Sequence, residues 1–271
     1  MTNAQRSPIH LPKAIERLRA AMALLTRLPM GSLPQTSIPW GTLAPYYPWV
    51  GFILGLILAI GTAAMNRLSP GTPLLNAALL IVAWVGLTGA LHLDGWGDCA
   101  DALWTPVAPA RRLEIMADPR IGGFGAIGLI LLLLLKTAAL TQIMAQLLGV
   151  PGIRGWGAAL LPVVLAPVVG RMAAVLVLLD SEIPNARPTG MGFQAREELS
   201  ENAAWTSLVA AFLLTLIGLQ RGLAMVVIGS ATGWSFARWA SRRLEGMTGD
   251  VLGAVIELSE TAALIAAVWG R

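Results

Sequence analysis

Residues 125–147 read GAIGLILLLLLKTAALTQIMAQL, an apolar run broken by a single charge, Lys136. A helix rises about 1.5 Å per residue, so a run of this length reaches across about 30 Å of hydrocarbon. Working outward, comparable apolar runs occupy 48–65, 74–92, 158–179, 204–220, 222–237 and 251–269. Only Gln220 and Arg221 separate the fifth and sixth runs, which predicts a tight helical hairpin. Composition agrees: 56% of residues are apolar and 13% charged, with a mean hydropathy of +0.69. A soluble domain carries about twice that share of charge. The expectation is an all-α, polytopic transmembrane helix bundle of about seven spans, with short cytoplasmic surface helices. It is a single integral membrane domain over 1–271, with an N-terminal cytoplasmic segment (1–47) ahead of the bundle (48–271).

Charge excludes other classes. The net charge is +4, and the basic excess is spread through loops rather than gathered into a patch. That suits a bilayer with an anionic inner face and not a nucleic-acid partner. A lone cysteine, Cys99, cannot form an internal disulfide. The first 47 residues lack the unbroken apolar core of a cleavable signal, but Ile15, Leu18, Met22 and Leu25 share a helical face. With the N-terminus in the cytoplasm, thirteen Lys and Arg fall on the cytoplasmic side against Arg67, Arg154, Arg221 and Arg271 outside. That bias sets the orientation, with the N-terminus in the cytoplasm. Asp94, Asp98, Asp101, Glu114, Asp118, Glu182 and Asp250 then share the cytoplasmic side, and the outer loops hold no carboxylate. One polar working face, cytoplasmic, is expected.

The densest chemistry lies in His92-Leu93-Asp94-Gly95-Trp96-Gly97-Asp98-Cys99-Ala100-Asp101. If the second span continues as a helix past the membrane surface, Asp94, Asp98 and Asp101 fall at i, i+4 and i+7, on one stripe. Three carboxylates on a stripe repel unless a cation joins them, and hard oxygen donors suit Mg²⁺ or Mn²⁺. The structural alternative is a solvated acidic turn. All three are candidate catalytic residues and metal ligands.

A second cluster runs from Glu114 to Gly125. Pro119 disfavours helix at Asp118, and Gly122, Gly123 and Gly125 lead into the span at 125–147. Free N–H groups at a helix start, with Arg120 beside them, make an anion site, though a plain glycine turn reads the same way. Thr248-Gly249-Asp250 opens the last span, and Asp250 and Glu257 share a helical face with Glu260 offset from it. Carboxylates inside an apolar helix need partners, and Lys136 and Arg171 are the intramembrane cations available. The stretch from Ala186 to Phe193, with Arg187 and its glycines, reads as a loop able to close over an anion or as a simple connector. Candidate substrate- or phosphate-binding residues are Arg120, Asp118, Arg187, Gly122, Asp250 and Glu257. His92 lies off the acidic stripe and reads as structural. Cys99 has no nucleophile signature, His10 has no visible role, and no Ser-His-Asp arrangement emerges.

Taken together, these motifs resemble the adenosylcobinamide-GDP ribazoletransferase (cobalamin-5′-phosphate synthase) family. The matching stretches are Leu25-Thr26-Arg27-Leu28-Pro29, His92-Leu93-Asp94-Gly95 with Asp98 and Asp101, and Met116 to Gly125. Arg187 to Gly192 and Thr248-Gly249-Asp250 with Gly253-Ala254 and Glu257 complete the set, in order, over about residues 20–262. There are departures. Trp96 and Gly97 stand where the family often has a small residue or Ala, and the family has Thr near the position of Cys99. Met116-Ala117-Asp118-Pro119-Arg120 replaces Met-Lys-Asp-Ser-Arg, so any role of that lysine is absent. The resemblance implies a membrane enzyme of the last stage of cobalamin assembly. It would join adenosylcobinamide-GDP to α-ribazole or α-ribazole 5′-phosphate, releasing GMP, with Mg²⁺ as cofactor. A homo-oligomer, or a complex with other cobalamin-assembly enzymes, fits equally.

Two other readings compete. CDP-alcohol phosphotransferases also carry an Asp-rich helix at the membrane surface, but their Asp-Gly-x-x-Ala-Arg run fails at Cys99 and Ala100. A non-catalytic corrinoid transporter or binding protein would favour midplane charge and internal repeats. Lys136 and Arg171 fit that class, while the surface Asp stripe and the missing repeat do not.

Overall fold

The computed structural model describes residues 13–31, 38–148 and 152–269. Arg6, His10 and Arg271 lie outside them. Eleven helices follow one another among the described residues: α1 (Lys13–Leu25), α2 (Tyr47–Leu68), α3 (Pro73–Thr88), α4 (Leu91–Trp104), α5 (Pro109–Ile115), α6 (Gly123–Leu147), α7 (Gly152–Leu179), α8 (Met191–Glu197), α9 (Glu201–Thr215), α10 (Leu219–Leu244) and α11 (Gly249–Val268). Among the described residues the single β-type pairing is an isolated parallel bridge between Asn185 and Met247.

Helices α7 and α11 form the centre, and α2, α4, α6 and α10 pack around them. The apolar windows of α7 and α11 are 83% and 67% buried, against 33% for that of α6. Their sequences explain the order. Arg171, Glu257 and Glu260 sit on the two central helices, where protein rather than lipid surrounds them. The outer helices instead expose Leu75 and Val82 (α3), Ile130 and Leu134 (α6), and Val209 and Leu213 (α9). Apolar faces of this kind have lipid as their natural neighbour.

Five helical segments are long and apolar enough to cross a membrane, or six with α3 and α4 counted as one bent span. The expected seven differs because Glu201–Leu244 counts once. Yet the chain turns back inside it, through a short 3-10 turn and Leu219 at φ 50°. In α9, Ser207 Oγ donates to the Pro45 carbonyl just ahead of α2. Arg221, at the start of α10, donates to the Ala158 carbonyl near the start of α7 (3.4 Å), and Arg238 bonds Asp180 just past the end of α7. So α9 and α10 are antiparallel arms, as the short polar break predicts.

One expectation is corrected. The second span does not run on as a straight helix through the acidic stripe. Gly89 (φ 64°) and Ala90 (φ 59°) are both left-handed, and α4 leaves α3 at 95°. Two successive left-handed residues cannot belong to a right-handed helix. Helix α4 therefore lies across one end of the bundle, against the starts of α6 and α11 and the end of α10. The N-terminal helix is present as α1. Met22 and Leu25 enter the core, but Ile15 stays exposed.

Candidate active site

Helix α4 is seated by small residues on one side and aromatic ones on the other. A Cβ on Gly95 would fall 2.7 Å from the Asp250 carbonyl oxygen and 2.9 Å from its Cα, so only glycine lets α4 meet the first turn of α11. Elsewhere Trp96 packs edge-on against Trp104 and tilted against Phe236, each at 5.8 Å between ring centroids. Arg243 donates to the Leu103 carbonyl (3.1 Å) and lies 4.7 Å from the Trp239 ring centroid. This leaves Asp94 exposed and Asp98 and Asp101 half-buried on the free face. The stripe expected from the spacing exists, on a helix that crosses the bundle end.

Its three members differ. Asp101 accepts hydrogen bonds from the backbone N–H groups of Gly122 and Gly125, each at 2.7 Å. It caps α6, placing a negative charge at the positive end of that helix. Two of the N–H groups expected to await an outside anion are thus already engaged, which corrects the reading of the glycine loop. Each Asp101 oxygen keeps a further lone pair. Asp98 has no such donor. Burial, then the nearby charges of Asp250, Asp94 and Asp101, push its carboxyl up to about 7.

Arg120 and Asp118 form a two-pronged pair, Nε to Oδ1 at 2.9 Å and Nη2 to Oδ2 at 2.6 Å. The bonds from Arg120 hold Asp118 down at about 2. Both line an open cleft with Asp101, Arg111 and Gly122. The Arg187 loop reaches the start of α11 through the Asn185–Met247 bridge, with Ala186 N donating to the Met247 carbonyl at 3.0 Å. Arg187 itself donates to the Leu113 carbonyl of α5 (2.6 Å). Thr248 caps α11, accepting from Val251 N (3.3 Å). Asp250 follows, half-buried, under Gly95.

Glu257 stands apart from this surface. Lys136 Nζ donates to Glu257 Oε2 (2.7 Å) and Glu260 Oε2 (2.6 Å), and Arg171 pairs with Glu260 Oε1. All four side chains are buried, and Lys136 lies 4.2 Å from the Trp84 ring centroid. The pairing expected from the cost of intramembrane charge is present in full. Glu257 thus sits in a closed ionic network.

Sequence reasoning passed over two supports. Arg196 on α8 donates to the carbonyls of Leu178 (3.1 Å) and Val177 (2.9 Å), and also to that of Ile183. It satisfies the orphan end of α7 and fixes the segment carrying Arg187. Asp180 accepts from Trp234 Nε1 and Arg238 Nε, each at 2.9 Å. The available signal was a charged residue directly after an apolar span, facing an arginine in the last turns of α10.

Among the described residues no three of Asp, Glu, His and Cys converge as a ready metal cage. The donor chemistry still fits a hard divalent cation. Asp94 and Asp98 have no salt-bridge partner among the described residues, and Asp98 carries the penalty of three neighbouring carboxylates.

Fold and site together define a polytopic, all-helical membrane protein with an acidic, arginine-flanked face at one end of its bundle. The chain belongs to the cobalamin-5-phosphate synthase family, whose pattern it matches over residues 17–268. It is 39% identical over 258 residues to the adenosylcobinamide-GDP ribazoletransferase of Pseudomonas aeruginosa PAO1, covering 94% of this chain and 98% of that one. Relatives of the same name in Stutzerimonas stutzeri and Pseudomonas putida GB-1 are also 39% identical, over 92% of this chain and 96% and 97% of theirs. No solved structure matches.

Proposed function

We propose that this chain is a transferase that joins adenosylcobinamide-GDP to α-ribazole or its 5′-phosphate, releasing GMP. A ribose hydroxyl of the acceptor attacks the phosphorus next to the corrinoid side chain. The phosphorus–oxygen bond to GMP breaks, and the hydroxyl proton passes to a carboxylate of the α4 face. Phosphoryl transfer of this kind asks for positioning and charge neutralisation more than for covalent help. Asp94, Asp98 and Asp101 would hold Mg²⁺, which would neutralise the pyrophosphate when bound. Arg120 exchanges Asp118 for a phosphate, and Arg187 would leave the Leu113 carbonyl to do the same. The acidic end faces the cytoplasm of a bacterial cell, with the bundle in its cytoplasmic membrane.

The observation that carries this reading is the convergence of separate motifs. Residues from α4, the loop before α6, the Arg187 loop and the start of α11 meet at one end of a chain whose family membership spans nearly its whole length. The test is GMP release from adenosylcobinamide-GDP by protein in nanodiscs, with and without α-ribazole and Mg²⁺. Release that needs both is expected. Release independent of α-ribazole, or none at all, defeats the reading.

A further inference from the structure

Between α2, α4, α7 and α11, next to the acidic face but sunk beneath it, lies a cleft of about 80 Å³, open to solvent. Its walls are mostly apolar: Trp40, Tyr47, Ala174, Leu252 and Ile256. Its most deeply buried polar side chain is His92. His92 is 3% exposed, lines the cleft, and has no hydrogen-bond partner at either ring nitrogen. A buried imidazole left with both nitrogens unmet is a standing penalty, and such groups in native structures call for an explanation. Asp250 also lines the cleft, and its charge is felt at Asp98. Asp250 is packed against Gly95, so this wall of the cleft adjoins the acidic helix.

We infer that this cleft seats the aromatic base of the acceptor nucleoside, with His92 meeting the base's ring nitrogen and the ribose directed toward Asp250. The inference rests on the transferase reading above. Four ring systems come with the substrates: a corrin, the adenine of its adenosyl ligand, a guanine and a benzimidazole. The corrin is far too large for this volume. Guanine and adenine both carry several donors and acceptors on their edges, each needing a partner once desolvated. Apart from His92 and Asp250, these walls have no ionisable side chain to meet them except the phenol of Tyr47. Dimethylbenzimidazole is flat and apolar, with one free ring nitrogen, and so matches apolar walls with a single imidazole. Its riboside then enters base first, and the sugar hydroxyls are left at the level of the acidic stripe, where the attack must occur.

The experiment is equilibrium binding of α-ribazole to the full-length protein in nanodiscs, by titration calorimetry, with adenosylcobinamide-GDP and guanosine titrated separately. His92→Phe keeps the ring shape and removes both nitrogens; it is expected to weaken α-ribazole by about tenfold. Ala174→Leu fills the cleft and is expected to weaken it at least as much. Adenosylcobinamide-GDP affinity should stay within about twofold of wild type in both. Should His92→Phe fail to insert, Ala174→Leu and Leu252→Trp carry the same test. Unchanged α-ribazole affinity in the filled variants overturns the inference. So does an equal loss for both substrates, or a loss confined to guanosine. Wild-type protein that binds neither substrate fails the transferase reading itself, a result of a different kind.

Discussion

Glu260→Gln removes one charge from the buried network while keeping the side chain's shape. In the native protein two cations face two carboxylates, and Glu260 touches both cations: Lys136 at 2.6 Å, and Arg171. Without that charge Lys136 keeps Glu257 at 2.7 Å, but Arg171 keeps only the Pro167 carbonyl, at 3.4 Å. Arg171 has no exposed surface, so water cannot replace the lost partner. Stranding a buried charge in this way costs about 3–5 kcal/mol. Glu257→Gln is a milder change, because both cations still meet Glu260, and about 1–2 kcal/mol is expected. Replacing Arg171 and Glu260 together by Met removes a neutral pair, leaves Lys136 with Glu257, and should cost less than Arg171→Met or Glu260→Met alone. The cycle then yields a coupling of about 3 kcal/mol. The assay is unfolding in detergent micelles followed by far-ultraviolet circular dichroism. Equal losses for the two Gln variants, or a double variant that loses the sum of its parts, would refute the reasoning.

Asp→Asn changes along α4 should separate capping from chemistry. Asp101→Asn is expected to lower stability by about 1 kcal/mol, as loss of a cap does, whereas Asp94→Asn should not, although both should depress GMP release severely. Asp98 is protonated more readily in the fold, at about 7, than in the unfolded chain, near 3.8. The stability it contributes is therefore complete below about pH 4 and is lost as pH rises through 7. Asp98→Asn should accordingly gain on metal-free wild type by about 1–2 kcal/mol between pH 4 and pH 8, a figure discounted for solvent around the carboxyl; unfolding curves at the two pH values check it, and a constant difference contradicts it. Gly95→Ala puts a methyl group 2.7 Å from the Asp250 carbonyl oxygen, so α4 must lift from α11; about 1–3 kcal/mol of stability and most turnover should go, and normal turnover would show the contact to be dispensable. A reporter fused after Arg271 should read as external, and a cytoplasmic reading would invert the orientation.

Much of this architecture was legible in the chain because lipid imposes a coarse code. Apolar runs gave the arms, the Gln220–Arg221 break gave the hairpin, and the scarcity of charge showed that Lys136, Arg171, Glu257 and Glu260 must meet. Hidden were the contacts that depend on backbone direction. Nothing in Thr88-Gly89-Ala90-Leu91 shows that an alanine adopts the left-handed conformation, so the turn of α4 across the bundle was missed. Equally hidden was the choice of Asp101, more than twenty residues upstream, as the anion for the glycine loop. Arg187 read as an open anion clamp, and its bond to the Leu113 carbonyl depends on a loop-to-loop bridge that carries no local signal.

The position of the ionic network along α11 has a consequence for how the protein sits in different bilayers. A helix gripped only by apolar side chains can slide or tilt a little when the membrane thickens or thins, since one greasy neighbour replaces another at small cost. Helix α11 cannot, because an axial slip of a few ångströms would part Glu260 from Lys136 and Arg171 at once. Its first turn, with Asp250 pressed against Gly95, is therefore fixed in height relative to the bundle centre. Mismatch falls instead on α3 and α9, which hold no member of the network and expose Leu75, Val82, Val209 and Leu213. The acidic face at the bundle end is in this way mechanically insulated from the lipid composition around it.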